Sequence, residues 1–379
     1  MAKVVFIPFP ETGHFNATFR LAKSLKSRGH EVAYLGLSDF EESVRVQQLN
    51  FTGILESAFP RGFIEQELVK QGVETLDALV SQTERLGPDF DPLAELGRVV
   101  MKARPDILMV DLLLPAVVAM AKAAGLPSIF VNTQFYNPWD EPDSLYRSLE
   151  DIPELILCPE EFDFPRPRKR ARCHYVEASI DDERNETSFP WRELDPGRRL
   201  VYCSLGTQSH LIKGSRRVLQ HIIDGVSSEG DFQLVLASGA NLGRDKFGVL
   251  PSNVIVVQQA PQLALLKRTA VAITHGGFNT VKECILFGVP IIVFPLIRDH
   301  PAVAARVVHY GLGLRGSFDN VTPESIQLMV RQVDRHPSIR TRVRSMSERF
   351  RELEQSGKAI EVFESILSDI GQERRTPLK

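Results

Sequence analysis

Short apolar runs alternate with helical patterns along this chain, and the alternation occurs twice. Residues 4–8 read as a buried strand. Residues 16–28 read as a helix with Leu21, Ala22 and Leu25 on one face and Gly29 at its carboxyl cap. A strand over 31–35, helices over 66–85 and 92–102, a strand over 106–110, a helix through 119–124 and a strand over 128–132 complete the first series. A stretch of little periodicity follows, 133–196, rich in Pro, Asp, Glu and Arg. The series then restarts with a strand at 200–204 and a helix over 216–228 that turns Val218, Leu219, Ile222, Ile223 and Val226 inward. Strands at 233–238, 254–257, 271–274 and 290–294 alternate with further helices. Such alternation predicts an α/β chain with parallel sheets covered by helices. The expected organisation is a domain over 1–180, a linker over 181–197 and a domain over 198–379, whose last helix has the option of packing back on the first domain. Ligands of such folds bind at the carboxyl ends of strands, and two facing units are expected to make a cleft.

Composition narrows the class. The 379 residues are long for one core and natural for two. With 43% hydrophobic and 25% charged residues the chain is globular rather than disordered. A formal net charge of −3 argues against a nucleic-acid partner. The opening residues are broken by Pro8, so no secretory leader is expected. The longest apolar stretch, 107–131, contains Asp111, Lys122 and two prolines, so no membrane span is expected and the protein is placed in the cytoplasm. Cys158, Cys173, Cys203 and Cys284 are widely spaced with no C-x-x-C, which predicts reduced buried thiols. The heavily charged helices expected over 323–333, 338–356 and 357–369 read as solvated faces.

The most informative segment runs from the apolar strand 271–274 into His275-Gly276-Gly277 and directly into a helix carrying Asn279, Thr280 and Glu283. Glycines let backbone amides approach a ligand, and the helix start directs unpaired N–H groups and its positive dipole end to the same point. A diphosphate cradle and a tight turn with an Asn cap fit this segment equally well when it is taken alone. Downstream, Gly288-Val289-Pro290, a strand and then Asp299-His300 follow, with the pair at a strand's carboxyl end, where it either binds ligand hydroxyls or belongs to a solvated loop.

His275-Gly276-Gly277-x-Asn279-Thr280-x-x-Glu283, with Gly288-Val289-Pro290, Pro295 and Asp299-His300, resembles the donor signature of UDP-glycosyltransferases. Ala260-Pro261-Gln262-x-x-Leu265-Leu266 and Ser204-Leu205-Gly206-Thr207 are similar to two further stretches of that family, and residues 301–306 resemble its zeaxanthin glucosyltransferase branch. The resemblance covers nearly the whole chain. It implies the GT-B fold, two Rossmann-like domains facing across a cleft, and sugar transfer in natural-product or antibiotic biosynthesis. It also implies roles: Thr207, His275, Gly276, Gly277, Asn279 and Thr280 around the diphosphate, Glu283 on the ribose, Ala260 and Gln262 at the base and ribose edge, Asp299 and His300 on the sugar, and Gly13 beside the donor. The sequence departs from the family where Gln259 replaces a base-stacking Trp, where His300 replaces the usual Gln, and at Val303.

Gly13-His14-x-Asn16, after the first strand, looks like the family's G-H-x-x-P turn, with Ala17 in place of Pro. By that resemblance His14 is the catalytic base. Asp111, a charged residue ending a buried strand, is the carboxylate expected to orient it. The expected reaction is inverting transfer from a nucleotide-diphosphate sugar, UDP-hexose by resemblance, to a hydroxyl of a lipophilic or natural-product acceptor molecule, with no cofactor and no metal. The Asp89-Phe90-Asp91 triplet is read as a helix cap, since Pro92 follows it. Phe135, Tyr136 and Trp139 either wall an apolar acceptor or pack their loop onto the domain. The basic run 166–172 leaves open a peripheral membrane contact, although its prolines favour a solvated loop. Two other functions share such a fold: a nucleotide-sugar epimerase, and a non-catalytic helper of a partner transferase.

Overall fold

The computed structural model describes residues 1–71, 74–135, 138–166, 170–206, 213–239 and 242–373. The chain divides into two compact units, residues 1–184 with 353–379, and residues 185–352.

The first unit is built on strands β1 (Lys3–Ile7), β2 (Glu31–Gly36), β3 (Asn50–Gly53), β4 (Ile107–Asp111), β5 (Ser128–Asn132), β6 (Glu154–Ile156) and β7 (Cys173–Tyr175). They form one parallel sheet in the order β3-β2-β1-β4-β5-β6-β7. Every residue of β4 and β5 is buried, as a sheet covered on both faces requires. The helix Thr12–Ser27 begins earlier than its periodicity suggests, because Phe15 and Phe19 carry the apolar stripe back into its first turn. Phe15 stacks on Phe40 at 4.6 Å, and the Thr18 hydroxyl meets the Tyr34 hydroxyl at 2.9 Å, which fixes this helix on the sheet. The helix expected over 66–85 is two, Phe63–Gln71 and Thr75–Leu86, with Gly72, a poor helix former, in the sequence between them. The helix Lys358–Glu373 buries Ala359, Ile360 and Phe363 in this unit's core. The Glu177 carboxylate accepts the Ala359 N–H at 2.8 Å.

The short strands β6 and β7 lie in the stretch of little periodicity, and a buried polar cluster holds them. Glu154 is fully buried. It accepts from the Asn132 amide and the Trp139 indole, both at 2.8 Å, and from the Arg170 guanidinium at 2.9 Å. Arg170 also donates to the carbonyls of Glu150 and Ile152. The basic run is therefore only partly a solvated loop: Arg166 pairs with buried Asp163 and the Arg170 side chain lies inside the unit, whereas Ala171 and Arg172 are exposed. Residues 167–169 fall outside the described residues.

The second unit has strands β8 (Arg199–Ser204), β9 (Phe232–Ala237), β10 (Val254–Val257), β11 (Thr269–Thr274), β12 (Ile291–Val293) and β13 (Gly313–Arg315). They form a parallel sheet in the order β10-β9-β8-β11-β12-β13. The helix Ser215–Ser227 buries Val218, Leu219, Ile222, Ile223 and Val226, the stripe its spacing predicts. Among the described residues no helix is long and apolar enough to cross a membrane.

Removing one member of a buried ion pair strands the other in low dielectric. Arg170→Ala should therefore cost about 3–5 kcal/mol of stability, read as a lowered urea midpoint; an unchanged midpoint would show that Glu154 is satisfied without its cation.

Candidate active site

In each unit the strand order reverses at one point, between β1 and β4 in the first and between β8 and β11 in the second. The crevice outside the carboxyl ends of such strands is where open α/β sheets place ligands.

In the first unit the two ends carry His14 and Asp111. Ile7 of β1 pairs with Val110 of β4, so Asp111 stands one residue beyond the paired register. His14 sits on the first turn of the helix that follows β1. Its Nδ1 lies 2.7 Å from Asp111 Oδ2, with both residues buried. A carboxylate accepts, so Nδ1 carries the proton and Nε2 the lone pair. The other carboxylate oxygen accepts the Leu113 N–H at 3.0 Å, and the Phe9 ring lies against the imidazole at 5.3 Å. Thr133, just past β5, brings a third group. Its hydroxyl is 2.9 Å from His14 Nδ1 and 3.4 Å from Asp111 Oδ2. Sequence reasoning missed Thr133, although a hydroxyl residue one step past the strand next to Asp111 is a readable signal. Gly13 is exposed on the same helix turn as His14.

In the second unit β11 runs through His275-Gly276-Gly277 into the helix Phe278–Leu286. Gly276 has φ +90°, and a Cβ there would stand 2.8 Å from Val293. The His275 ring lies against both Gly206 and Gly277, where added Cβ atoms would meet it at 2.7 and 2.6 Å. Glycine is thus required by contact as well as by backbone conformation. Burial pushes His275 down to about 4 and His300 down to about 3. The two rings meet edge to face at 4.5 Å. Neutral at neutral pH, they are hydrogen-bonding groups rather than cations. His300 Nδ1 accepts the Ile297 N–H at 3.2 Å, which leaves the ring proton on Nε2. Arg298 beside it takes φ +55°, a strained conformation for a residue with a side chain, in the loop that presents Asp299 and His300.

Asn279 and Thr280 lie half-buried in the first turn of that helix. Gln262 is drawn to the same place. Its amide donates to Glu283 at 2.5 Å and to Thr280 at 3.3 Å, and its carbonyl accepts the Tyr202 hydroxyl at 3.1 Å. The buried Glu283 is thus already engaged by a neighbour in the site. The Glu186 carboxylate accepts the N–H groups of Leu263 and Ala264, capping the short helix Gln262–Leu266 and holding Gln262 in place. Tyr202 and Glu186 were not singled out from sequence. Ala260 is half-buried and Gln259 exposed. Thr207 and Tyr136 lie outside the described residues.

The acceptor residues need one correction. Trp139 is only 2% exposed, stacked under the Arg170 guanidinium at 3.6 Å and packed edge-on to Phe130 and Tyr146. No ring face is left for a ligand, so it packs its loop onto the unit. Phe135, half-buried, packs near Phe162 at 5.8 Å. Asp91 caps the helix Pro92–Ala103 by accepting from Leu93 and Ala94, the role its position before Pro92 predicts. Among the described residues no group of three or more His, Cys, Asp or Glu side chains is placed to hold a metal ion.

Residues 221–359 match the family described as erythromycin biosynthesis protein CIII-like, C-terminal domain. The NDP-glycosyltransferase YjiC of Bacillus licheniformis is 24% identical over 97% of this chain and 98% of its own. The zeaxanthin glucosyltransferase of Pantoea ananas is 26% identical over 84% and 85%. Among solved structures, the glycosyltransferase VinC in complex with dTDP superposes with a TM-score of 0.72 at 19% identity, covering 96% of this chain and all of that one. Two parallel α/β units and a glycine turn at the switch point of the second agree with these likenesses, which show the GT-B fold and a similarity to glycosyltransferases along nearly the whole chain.

Proposed function

We propose that the protein is an inverting, metal-independent hexosyltransferase. It moves a hexose from a UDP-sugar to a hydroxyl of a lipophilic natural-product acceptor, with His14 as general base and Asp111 as the carboxylate behind it. The observation that carries this reading is the buried 2.7 Å contact between His14 Nδ1 and Asp111 Oδ2 at a strand switch point. It sets the tautomer that leaves Nε2 as the proton acceptor and stabilises the imidazolium once the proton has moved.

In the proposed reaction the acceptor hydroxyl gives its proton to His14 Nε2 while its oxygen bonds to the anomeric carbon. The bond from that carbon to the diphosphate oxygen breaks on the opposite side, and its electron pair leaves with the nucleotide diphosphate. One displacement inverts the centre, so an α-linked donor yields a β-glycoside. The N–H groups at the start of the helix Phe278–Leu286 and the neutral His275 ring supply the dipoles for the departing charge. Gln262 and Glu283 support the reading as a hydrogen-bonding edge for the ribose, and Asp299 with His300 for the sugar. The names of the relatives above point the same way: zeaxanthin is a lipophilic alcohol, and VinC was solved with a nucleoside diphosphate. A helper protein that only bound a partner would have no use for a buried base and carboxylate held in this geometry.

His14→Ala should lower the transfer rate by at least ~100-fold, the usual contribution of a positioned base, while binding of the nucleotide sugar, followed by calorimetry, stays close to wild type. A variant turning over at the native rate removes His14 from the chemistry. Thr133 acts in this reading as a positioning residue. Thr133→Val should reduce kcat by about tenfold, on the scale of one lost hydrogen bond to a charged group, leave KM for the nucleotide sugar unchanged and move the acidic limb of the pH–rate profile; Thr133→Ser should restore both. An unaltered profile in the valine variant would confine Thr133 to packing. Transfer should also proceed at full rate in EDTA after dialysis against chelator. A rate that collapses and returns with magnesium would overturn the fixed-dipole account of the leaving group.

A further inference from the structure

In the second unit the nucleotide turns lie where the strands end. At the other edge of the same sheet, where β8 and β11 begin and just before β12, there is a concavity of about 670 Å³. Six arginines line it: Arg198, Arg199, Arg268, Arg340, Arg344 and Arg351. Only two carboxylates, Asp334 and Glu348, line it with them. The helix Pro337–Ser356 supplies three of the arginines at positions 340, 344 and 351, one stripe of its surface. The charge-rich sequence of this helix reads as an ordinary solvated face, but here the stripe forms the wall of a cavity.

The arginines differ in how far they are already engaged. Asp334 is buried beneath the cavity and ion-paired with Arg199. Arg198 pairs with Asp195 at 3.2 Å, and Arg351 donates to the Leu286 carbonyl at 3.1 Å. Arg268 stacks on Trp191 at 5.2 Å. Among the described residues, Arg268, Arg340 and Arg344 have no carboxylate within ion-pair distance. Three guanidinium groups without a direct carboxylate partner, of which Arg340 is near enough to feel the charge of Asp334, gather on concave walls and focus a positive potential. Guanidinium forks match the oxygens of a phosphate two at a time, and the volume is that of a small-molecule site rather than of a macromolecular groove.

We propose that this cavity is a second anion site, distinct from the nucleotide turns, that binds a small phosphate-bearing molecule, either free diphosphate or a phosphate ester, through Arg268, Arg340 and Arg344. It lies within the second unit and does not depend on the transfer reaction assigned above.

The test is arginine labelling of the full-length protein with phenylglyoxal, mapped by peptide mass spectrometry in the presence of inorganic pyrophosphate, a hexose 1-phosphate, or sodium chloride at matched ionic strength. Pyrophosphate or the ester should slow labelling of Arg340 and Arg344 by about tenfold, equivalent to about 1.4 kcal/mol of occupancy, while exposed Arg342 on the same helix labels at its free rate. Protection by the ester alone identifies an ester as the occupant, and equal protection by pyrophosphate identifies the bare anion. The double variant Arg340→Ala, Arg344→Ala should lose protection at Arg268 yet transfer sugar at the native rate, both side chains being exposed and outside the catalytic groups. Equal protection by chloride, or protection of Arg342 to the same degree, would reduce the cluster to a screened surface and end the proposal.

Discussion

Parallel strands all point their carboxyl ends the same way, and both candidate sites follow from that single constraint. When strand order reverses in a parallel sheet, the loops on either side of the reversal diverge and leave a crevice. In the first unit the reversal brings together the ends of β1 and β4, whose chemistry-bearing residues stand 97 positions apart in sequence. In the second it brings Ser204 of β8 beside Thr274 of β11, so the turns that follow them share one place. Packing of His275 against the Gly206 backbone is the direct consequence, because two loops leaving adjacent strand ends have room for one imidazole only if the facing residue lacks a side chain.

Burial then sorts the histidines by chemistry. His275 and His300 are enclosed without a carboxylate, and desolvation holds both rings neutral far below neutral pH. His14 is equally enclosed but faces Asp111, a buried acid whose two oxygens are held by an imidazole and a backbone N–H. A ring enclosed without a carboxylate is suited to donating a hydrogen bond, whereas one backed by a carboxylate is suited to taking up a proton. The same residue type is therefore suited to two different tasks, and it is the neighbour at the adjacent strand terminus that decides which.

Much of this was legible from residue spacing. Long amphipathic helices, the apolar runs of β4 and β5, the Asp91–Pro92 cap and the glycine turn after β11 each carry a local signal strong enough to be read without a tertiary partner. The strands β3, β6, β7 and β13 carry none. They are three or four residues long, and β6 contains a glutamate. Glu154 is compatible with a sheet interior only because Asn132, Trp139 and Arg170 arrive from elsewhere to satisfy it. Trp139 stayed open between two readings for the same reason. An aromatic residue in a polar loop looks available to a ligand until the guanidinium that covers its face is known. Thr133 needed knowledge of strand order, since its relevance lies in β5 being the neighbour of β4.

Two basic stretches show where composition ceases to inform. Residues 166–172 and the helix Pro337–Ser356 are both arginine-rich, and by charge alone both read as surface. The first meets carboxylates at depth, Asp163 and Glu154, and its Arg166 and Arg170 side chains fold inward, where their desolvation is offset by paired hydrogen bonds. The second passes a wall whose buried carboxylate, Asp334, already pairs with Arg199. Its arginines stay outside, facing a cavity. What separates a structural arginine from one left facing a cavity is thus not the basic residue but whether a buried acid lies within direct reach of its guanidinium, a property of the packed unit that no local pattern encodes.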